Sequence, residues 1–521
     1  MALPPHRARA SPDGPANSVR VKIALFVFSV YRRHQARGTV SVDKESGILT
    51  DAAKAGIGLI GLGTMGSNLA LNIAENSVPV AIFNRTTETT HEFARAAGPL
   101  AKRIVACETL EQLVAAIEPP RAIILMVPAG PVVDEQVAAL RPLIEDGDMI
   151  IDAGNANFHD TNRRAVEAAT NGELFLGIGV SGGAEGARHG PSIMAGGPRE
   201  AWDRVAPIFE AIAARYEGTP CATWMGEGGA GHFVKTVHNG IEYADMQMIA
   251  EVYGVMRDGM GMSAPQCGQV FARWNEGLLK SYLVEISARI GEASDPETGN
   301  PVLDIIADRA GQKGTGRWTA IEAQHLAAPV TAIEAAVAAR NMSAASEVRA
   351  EGERIFGAAP RVLENGALSI DDLEAALIAG KIVCYAQGFT MIARASAEFG
   401  WALPLPDIAR VWRAGCIIRS SMLNDMATAL EANPDRNLMF ADFFSYLLKA
   451  KHPALRTTVA AAAQNGLPMP ALTAGLAYFD IMRTERSTAN LIQAQRDFFG
   501  AHGFERIDRP GQYHGPWGAS G

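Results

Sequence analysis

Apolar residues along this chain follow two rhythms. From Ile57 to about Met225 they fall in short runs: Ile57–Ile60, Val80–Phe83, Ala122–Val127, Met149–Asp152 and Leu174–Val180. Helically spaced stretches lie between them, and that alternation predicts an open, mostly parallel sheet flanked by helices. From His232 to about residue 485 the short runs stop. Long helical patterns take over, among them His232–Met256 and Lys381–Phe399. A faint echo runs through this part. Met246–Met256 leads to Trp274-Asn275-Glu276-Gly277, and Tyr385–Ala397 leads to Trp412-Arg413-Ala414-Gly415, so an internal duplication is expected. Gly466–Pro470 breaks the helices. The tail to Gly521 is rich in Gly, His and Pro and lacks a packing pattern of its own, so it is expected to lie over another surface, such as a partner subunit.

At 521 residues the chain is long enough for about three domains. Its net charge of −9 argues against a protein that wraps nucleic acid through its overall charge. Five cysteines at irregular spacing fit neither a disulfide scaffold nor a zinc cluster, and they imply a reducing, cytoplasmic setting. The spacing of His, Cys and carboxylates predicts no metal site. No apolar run in the sequence approaches the roughly 20 residues of a membrane span. Residues 1–56 differ from the rest. A Pro-, Ala- and Arg-rich start leads into the apolar run Ile23–Tyr31. A secretory signal has a similar outline, but Arg32 and Arg33 follow at once and no small-residue cleavage site is close. The segment reads as a dispensable extension or as translation from a start codon upstream of the true one.

Candidate chemistry begins in the first turn after Ile57–Ile60. Gly61-Leu62-Gly63-Thr64-Met65-Gly66 is a GxGxxG motif between a strand and a helix predicted over Ser67–Glu75. Gly61 suits the tight turn, Gly63 the approach of a pyrophosphate, and Gly66 close helix–strand packing. The second strand ends in Asn84-Arg85-Thr86. A carboxylate there would accept from the ribose 2′-OH of NAD; an arginine and a hydroxyl favour the 2′-phosphate of NADP instead. The reading is a Rossmann-type α/β domain over 57–231, a large all-α domain over 232–487, and a tail over 488–521. Val127-Pro128-Ala129, Asn155 and Ser181-Gly182-Gly183 all follow predicted strands, where open parallel sheets bind ligands. The exposed N–H groups of Gly182 and Gly183 suit a carboxylate.

On the 232–256 helix, Lys235, His238, Asn239 and Glu242 are offset by 0, 3, 4 and 7 residues, so they share one face. Such a polar set is a poor core stripe and a good site wall. A lysine in that setting can lose its proton near neutrality and act as a base. Beyond it, a Gly-rich loop, Gln312–Trp318, carries Lys313 and Arg317, and Arg340 ends an alanine-rich helix.

Taken together, Gly61–Asn68, Asn84-Arg85-Thr86, Ile151–Asn155, Ser181–Ser192, Gly229–Gln247, Gln312–Thr319 and Asn490–His502 resemble the decarboxylating 6-phosphogluconate dehydrogenase family, and the likeness runs from Ile57 to Trp517. The resemblance implies oxidation and decarboxylation of 6-phospho-D-gluconate with NADP in the pentose phosphate pathway. It implies Lys235 as general base and later acid, and Glu242 as proton donor to the enediol carbon. Asn155, Ser181, Gly182, Gly183, His238 and Asn239 would position the substrate. Tyr243, Lys313, Arg340 and the partner subunit's copy of Arg496 would grip its phosphate, with His502 of the partner subunit nearby. It implies a homodimer whose tails complete each other's sites. The chain departs from the family pattern at Pro128, usually Lys; at Ala153, commonly Gly; at Ala184, commonly Glu; and at Gly63, often Ala. A β-hydroxyacid dehydrogenase acting on another small acid and a non-catalytic NADP-binding protein are the alternatives. The set Lys313, Arg340 and Arg496 discriminates against the first, and Lys235 with Glu242 against the second.

Overall fold

The computed structural model describes residues 54–312 and 314–517; the expected extension up to residue 53, Lys313 and residues 518–521 lie outside the described residues. Eight strands form the N-terminal sheet: β1 (Ile57–Ile60), β2 (Val80–Phe83), β3 (Ile104–Cys107), β4 (Ala122–Leu125), β5 (Met149–Asp152), β6 (Leu174–Val180), β7 (Ile193–Gly196) and β8 (Ala222–Gly226). Their order across the sheet is β8-β7-β6-β5-β4-β1-β2-β3. Every pairing is parallel except β6 with β7, which runs antiparallel. The sequence pattern missed β3, β7 and β8. Four or five residues are too few for periodicity alone to mark a strand, and these three lack a recognised motif such as the GxGxxG turn that follows β1. The domain also begins earlier than Ile57. Ala55 is fully buried, and its N–H donates to Ala116 O at 2.8 Å.

The strands are apolar on both faces because helices cover both sides of the sheet. Helix α1 (Thr64–Glu75) follows β1 directly and starts three residues earlier than the apolar pattern suggested. Helix α2 (Phe158–Thr170) follows the β5 loop and is capped by Asn157, whose side chain accepts from His159 N–H. The sheet then gives way to helices. Helix α3 (Ala230–Gly254) starts two residues ahead of His232 and ends in a π-turn, Val255–Gly259, instead of continuing to Met256 as α-helix. Its N-terminal end lies tight against the sheet. A Cβ on Gly231 would sit 2.4 Å from Met194 O and 2.6 Å from Gly177 O, so only glycine lets the helix approach this closely.

Helices α4 (Thr315–His325), α5 (Thr331–Ala344) and α6 (Ile370–Phe399) pack around α3. Helix α6 begins eleven residues before the predicted Lys381, where Ser369 and Asp372 form a capping box. By length and composition α6 meets the requirements of a membrane span, contrary to the sequence reading, yet 94% of its most apolar window is buried in the fold. Its apolarity is that of a helix surrounded by protein. One charge in it is neutralised locally: fully buried Lys381 donates to both Asp245 oxygens of α3, at 2.7 and 2.6 Å. The echo in the sequence corresponds to a shared local arrangement. After α3 and after α6 comes a helix with proline in its first turn and a buried tryptophan at its C-terminal end, Trp274 as the last helical residue or Trp412 just beyond. In the tail, helix α7 (Ala489–Gly500) and a two-stranded hairpin are tied together by Asp497, which accepts from the N–H groups of Gly503, Gly515 and Trp517.

Candidate active site

The carboxyl ends of β1, β2, β4, β5 and β6 open on one edge of the sheet, where the glycine loop, Asn84–Thr86, Val127–Ala129, Asn155 and Ser181–Gly183 lie. Gly61 has φ +99, and a Cβ on it would lie 2.5 Å from Met126 O. A Cβ on Gly66 would collide with Gly61 O, so α1 packs onto the turn as the motif requires. Gly63 faces open space and is the N-cap of α1, with no side chain capping it and no acidic residue in the first turn. The free N–H groups of Thr64, Met65 and Gly66 therefore suit a pyrophosphate. Asn84 Oδ1 accepts from Leu62 N–H at 3.1 Å and holds the glycine loop to the end of β2. Arg85 and Thr86 are exposed beside it, and among the described residues Arg85 forms no ion pair. Val127, Pro128 and Ala129 form the β4 loop, with Pro128 exposed. The residues at this edge could hold the phosphates of a dinucleotide.

On α3 the four-residue face closes into a network. Lys235 Nζ donates to Ser181 Oγ at 3.0 Å and to Asn239 Oδ1 at 2.7 Å, and lies 3.2 Å from His238 Nδ1. His238 Nε2 lies 3.2 Å from Ser181 Oγ. Lys235 is buried, and loss of water drives its proton affinity down to about 8, against the opposing pull of Glu242. Burial, helped by the Lys235 charge, holds His238 well below its usual range and therefore neutral. Burial raises Glu242, with Lys235 and Arg340 opposing. Glu242 keeps a fifth of its side chain in solvent and lies 3.8 Å from His238 Nδ1. The face thus holds a lysine that releases its proton more readily than an exposed one and a carboxyl that holds its proton more tightly than an exposed one.

Asn155 takes a left-handed φ of +53, and its amide exchanges two hydrogen bonds with the Val180 backbone, both 3.2 Å. That side chain latches the β5 loop to the end of β6. Gly182 (φ +99) and Gly183 (φ +62) follow Ser181 in the next turn, and a Cβ on Gly183 would meet nothing within 4 Å. The Arg340 guanidinium carbon lies over the Tyr243 ring, 3.7 Å from its centroid. Gly316, in the first turn of α4, packs against the same ring, where a Cβ would sit 2.5 Å from it. Arg496 and His502 stand exposed on the tail. Arg496 donates to Gln493 at 3.1 Å, and among the described residues neither tail side chain has a polar contact with the Lys235 network.

Two supporting residues were legible in the sequence only as an echo. The Trp412 ring meets His238 edge-on at 5.8 Å. Gly415 O approaches so closely that a Cβ on Gly182 would lie 2.6 Å from it. The segment after α6 therefore supports the wall formed by α3.

Comparison with known proteins agrees with this geometry. Residues 56–226 match the model for the NAD binding domain of 6-phosphogluconate dehydrogenase, and residues 231–517 match that family's C-terminal domain. The chain belongs to the 6-phosphogluconate dehydrogenase family. It is 46% identical over 467 residues to the decarboxylating 6-phosphogluconate dehydrogenase of Chlamydia pneumoniae, covering 88% of this chain and 97% of that one. It is 45% identical to the NADP(+)-dependent, decarboxylating enzyme of Bacillus subtilis (strain 168), covering 89% and 99%. A solved structure of the Plasmodium falciparum enzyme superposes with a TM-score of 0.86 at 41% identity, over 89% of this chain and all of that one. That enzyme was studied in its apo form, with NADP+ and with 6-phosphogluconate.

Proposed function

We propose that this chain oxidises and decarboxylates 6-phospho-D-gluconate to D-ribulose 5-phosphate and CO2 with NADP, and that Lys235 and Glu242 carry the proton transfers. The observation that carries the reading is a buried lysine, lowered to about 8, in contact with Ser181, His238 and Asn239 and two turns from a raised carboxyl. NADP, when bound by the α1 N-terminus and Arg85, supplies the hydride acceptor. Neutral Lys235 takes the proton of the C3 hydroxyl. The resulting 3-keto acid is β to the carboxylate, so loss of CO2 sends the electron pair toward the new carbonyl. Protonated Lys235 stabilises that oxygen and donates to it, giving the enediol. Glu242 then delivers a proton to the former C2 of the substrate, which becomes C1 of ribulose 5-phosphate, while the enediol hydroxyl returns its proton to Lys235 and the ketone forms. Neutral His238 and Asn239 hold the lysine and the substrate hydroxyls, and Ser181, Gly182, Gly183 and Asn155 line the carboxylate end. Tyr243, Arg340 and Lys313 bind the phosphate.

The functional unit in this reading is a cytoplasmic homodimer in which the tail, with Arg496 and His502, completes the neighbouring site. The exposed apolar side chains Leu491, Ile492, Phe498 and Phe499 on α7 support a covered position for that helix. The test is incubation with 6-phosphogluconate and either NADP or NAD, following reduced cofactor and CO2 together. Equimolar appearance of both supports the reading. Reduced cofactor without CO2 would point to a simple β-hydroxyacid dehydrogenase, and binding without turnover to a nucleotide-binding protein.

A further inference from the structure

Away from the Lys235 network, three side chains converge where the sheet domain meets the helices. His159 stands in the first turn of α2; Glu322 and His325 are one turn apart at the end of α4. His159 Nε2 lies 3.0 Å and His325 Nδ1 3.2 Å from the same oxygen, Glu322 Oε2. All three ligand atoms lie within 4.8 Å of one another. Glu322 is 5% exposed, whereas both imidazoles reach solvent. That oxygen has two lone pairs, and both are used by imidazole nitrogens. A second ring on the same atom, from a different turn, leaves a triangle of two nitrogens and one oxygen around a buried negative charge.

We propose that His159, Glu322 and His325 form a binding site for a divalent transition metal of the zinc class, bridging the cofactor domain and the helical domain. Zinc binds imidazole nitrogen and carboxylate oxygen at about 2.0–2.2 Å, which puts the donors of a tetrahedral site roughly 3.3–3.5 Å apart. Two edges of the triangle already lie within a few tenths of an ångström of that spacing, and the exposed rings can adjust the third. The buried carboxylate supplies a fixed anion, and the open side leaves a position for water. Nitrogen donors disfavour calcium and magnesium, which take oxygen ligands. The linear spacing of metal-ligating residues could not indicate this site, because His159 is 163 residues from Glu322.

The site joins two elements that flank the active cleft. Helix α2 follows the Asn155 loop directly. Helix α4 carries Thr319, whose hydroxyl donates at 2.7 Å to the carbonyl of Thr236, the residue after Lys235. A metal here would hold these two walls together.

The test uses the full-length chain, stripped with a chelator and titrated calorimetrically with zinc chloride at pH 7.5, where free imidazoles are largely neutral. One ion per chain is expected, with affinity falling at least about tenfold in each of His159→Ala, His325→Ala and Glu322→Gln. Because both histidines are exposed, the two alanine variants should melt within a few degrees of the wild type in chelator, and only the wild type should gain stability on adding zinc. Zinc-soaked crystals should show an anomalous peak between the three side chains. Unchanged affinity and stoichiometry in the double variant H159A/H325A, or a peak located elsewhere only, would overturn the proposal. None of these readouts depends on the reaction catalysed.

Discussion

If Lys235 is the base, the reaction should depend on pH in a way set by its burial. The structure lowers its proton affinity from 10.5 to about 8. At pH 7 a group titrating at 8 is about 9% neutral, whereas one at 10.5 is about 0.03% neutral, a gain of roughly 300-fold in competent base. The sign follows directly: kcat/KM should rise about tenfold per pH unit below 8 and level off above it. The second ionisation of a substrate phosphate, near 6, produces an inflection at lower pH and cannot create one at 8. Glu242 acts after CO2 has left and therefore does not enter kcat/KM, although it does enter kcat. The decisive variant is Lys235→Arg. It keeps the positive charge and the hydrogen-bond donors, but a guanidinium does not release a proton near neutrality. We expect kcat/KM to fall by about 10²–10⁴-fold at pH 7.5. NADP affinity, measured by fluorescence without substrate, should change little. The assay is the initial rate of nicotinamide reduction from pH 6 to 9.5. A flat wild-type profile between pH 6 and 8, or a Lys235→Arg variant within tenfold of the wild type, would refute the assignment.

The remaining expectations can be tested separately. Glu242→Ala should give a fast burst of reduced cofactor followed by a slow steady state, while Lys235→Ala gives no burst; the reverse pattern would break the proposed division of labour. Arg85→Ala should raise the KM for NADP far more than that for NAD, and equal increases would remove Arg85 from the 2′-phosphate. Mixing inactive Lys235→Ala subunits with inactive Arg496→Ala subunits should restore some activity, since one site of the mixed dimer has both groups; no recovery after verified subunit exchange argues against a shared site. Lys381→Met leaves Asp245 buried and unpaired, so denaturant unfolding should show a loss of about 3–5 kcal/mol, much of it recovered when Asp245→Leu is added.

Local features of the chain were legible because their physics is local. The GxGxxG turn, the ends of β1, β2, β5 and β6, and the single face shared by Lys235, His238, Asn239 and Glu242 all follow from periodicity and from glycine's backbone freedom, and the structure places them together. The resemblance also pointed to residues such as Arg496 and His502, whose proposed role would depend on a second subunit. Tertiary structure alone decided the environment of those groups. Helix α3 lies close on the sheet where Gly231 meets Gly177 and Met194, and one turn on Lys235 packs against Gly179, where a Cβ would sit 2.5 Å from its own. Burial in turn lowers the lysine and raises Glu242, and a sequence carries no measure of how much water a side chain loses. The same holds for Arg340 over Tyr243, Trp412 against His238, and His159 beside Glu322. Each pair is far apart in the chain, so periodicity has nothing to say about it. Only the packing of α2, α4, α5 and the segment after α6 around α3 brings these groups within reach, because close packing fixes neighbours by shape and not by distance along the chain.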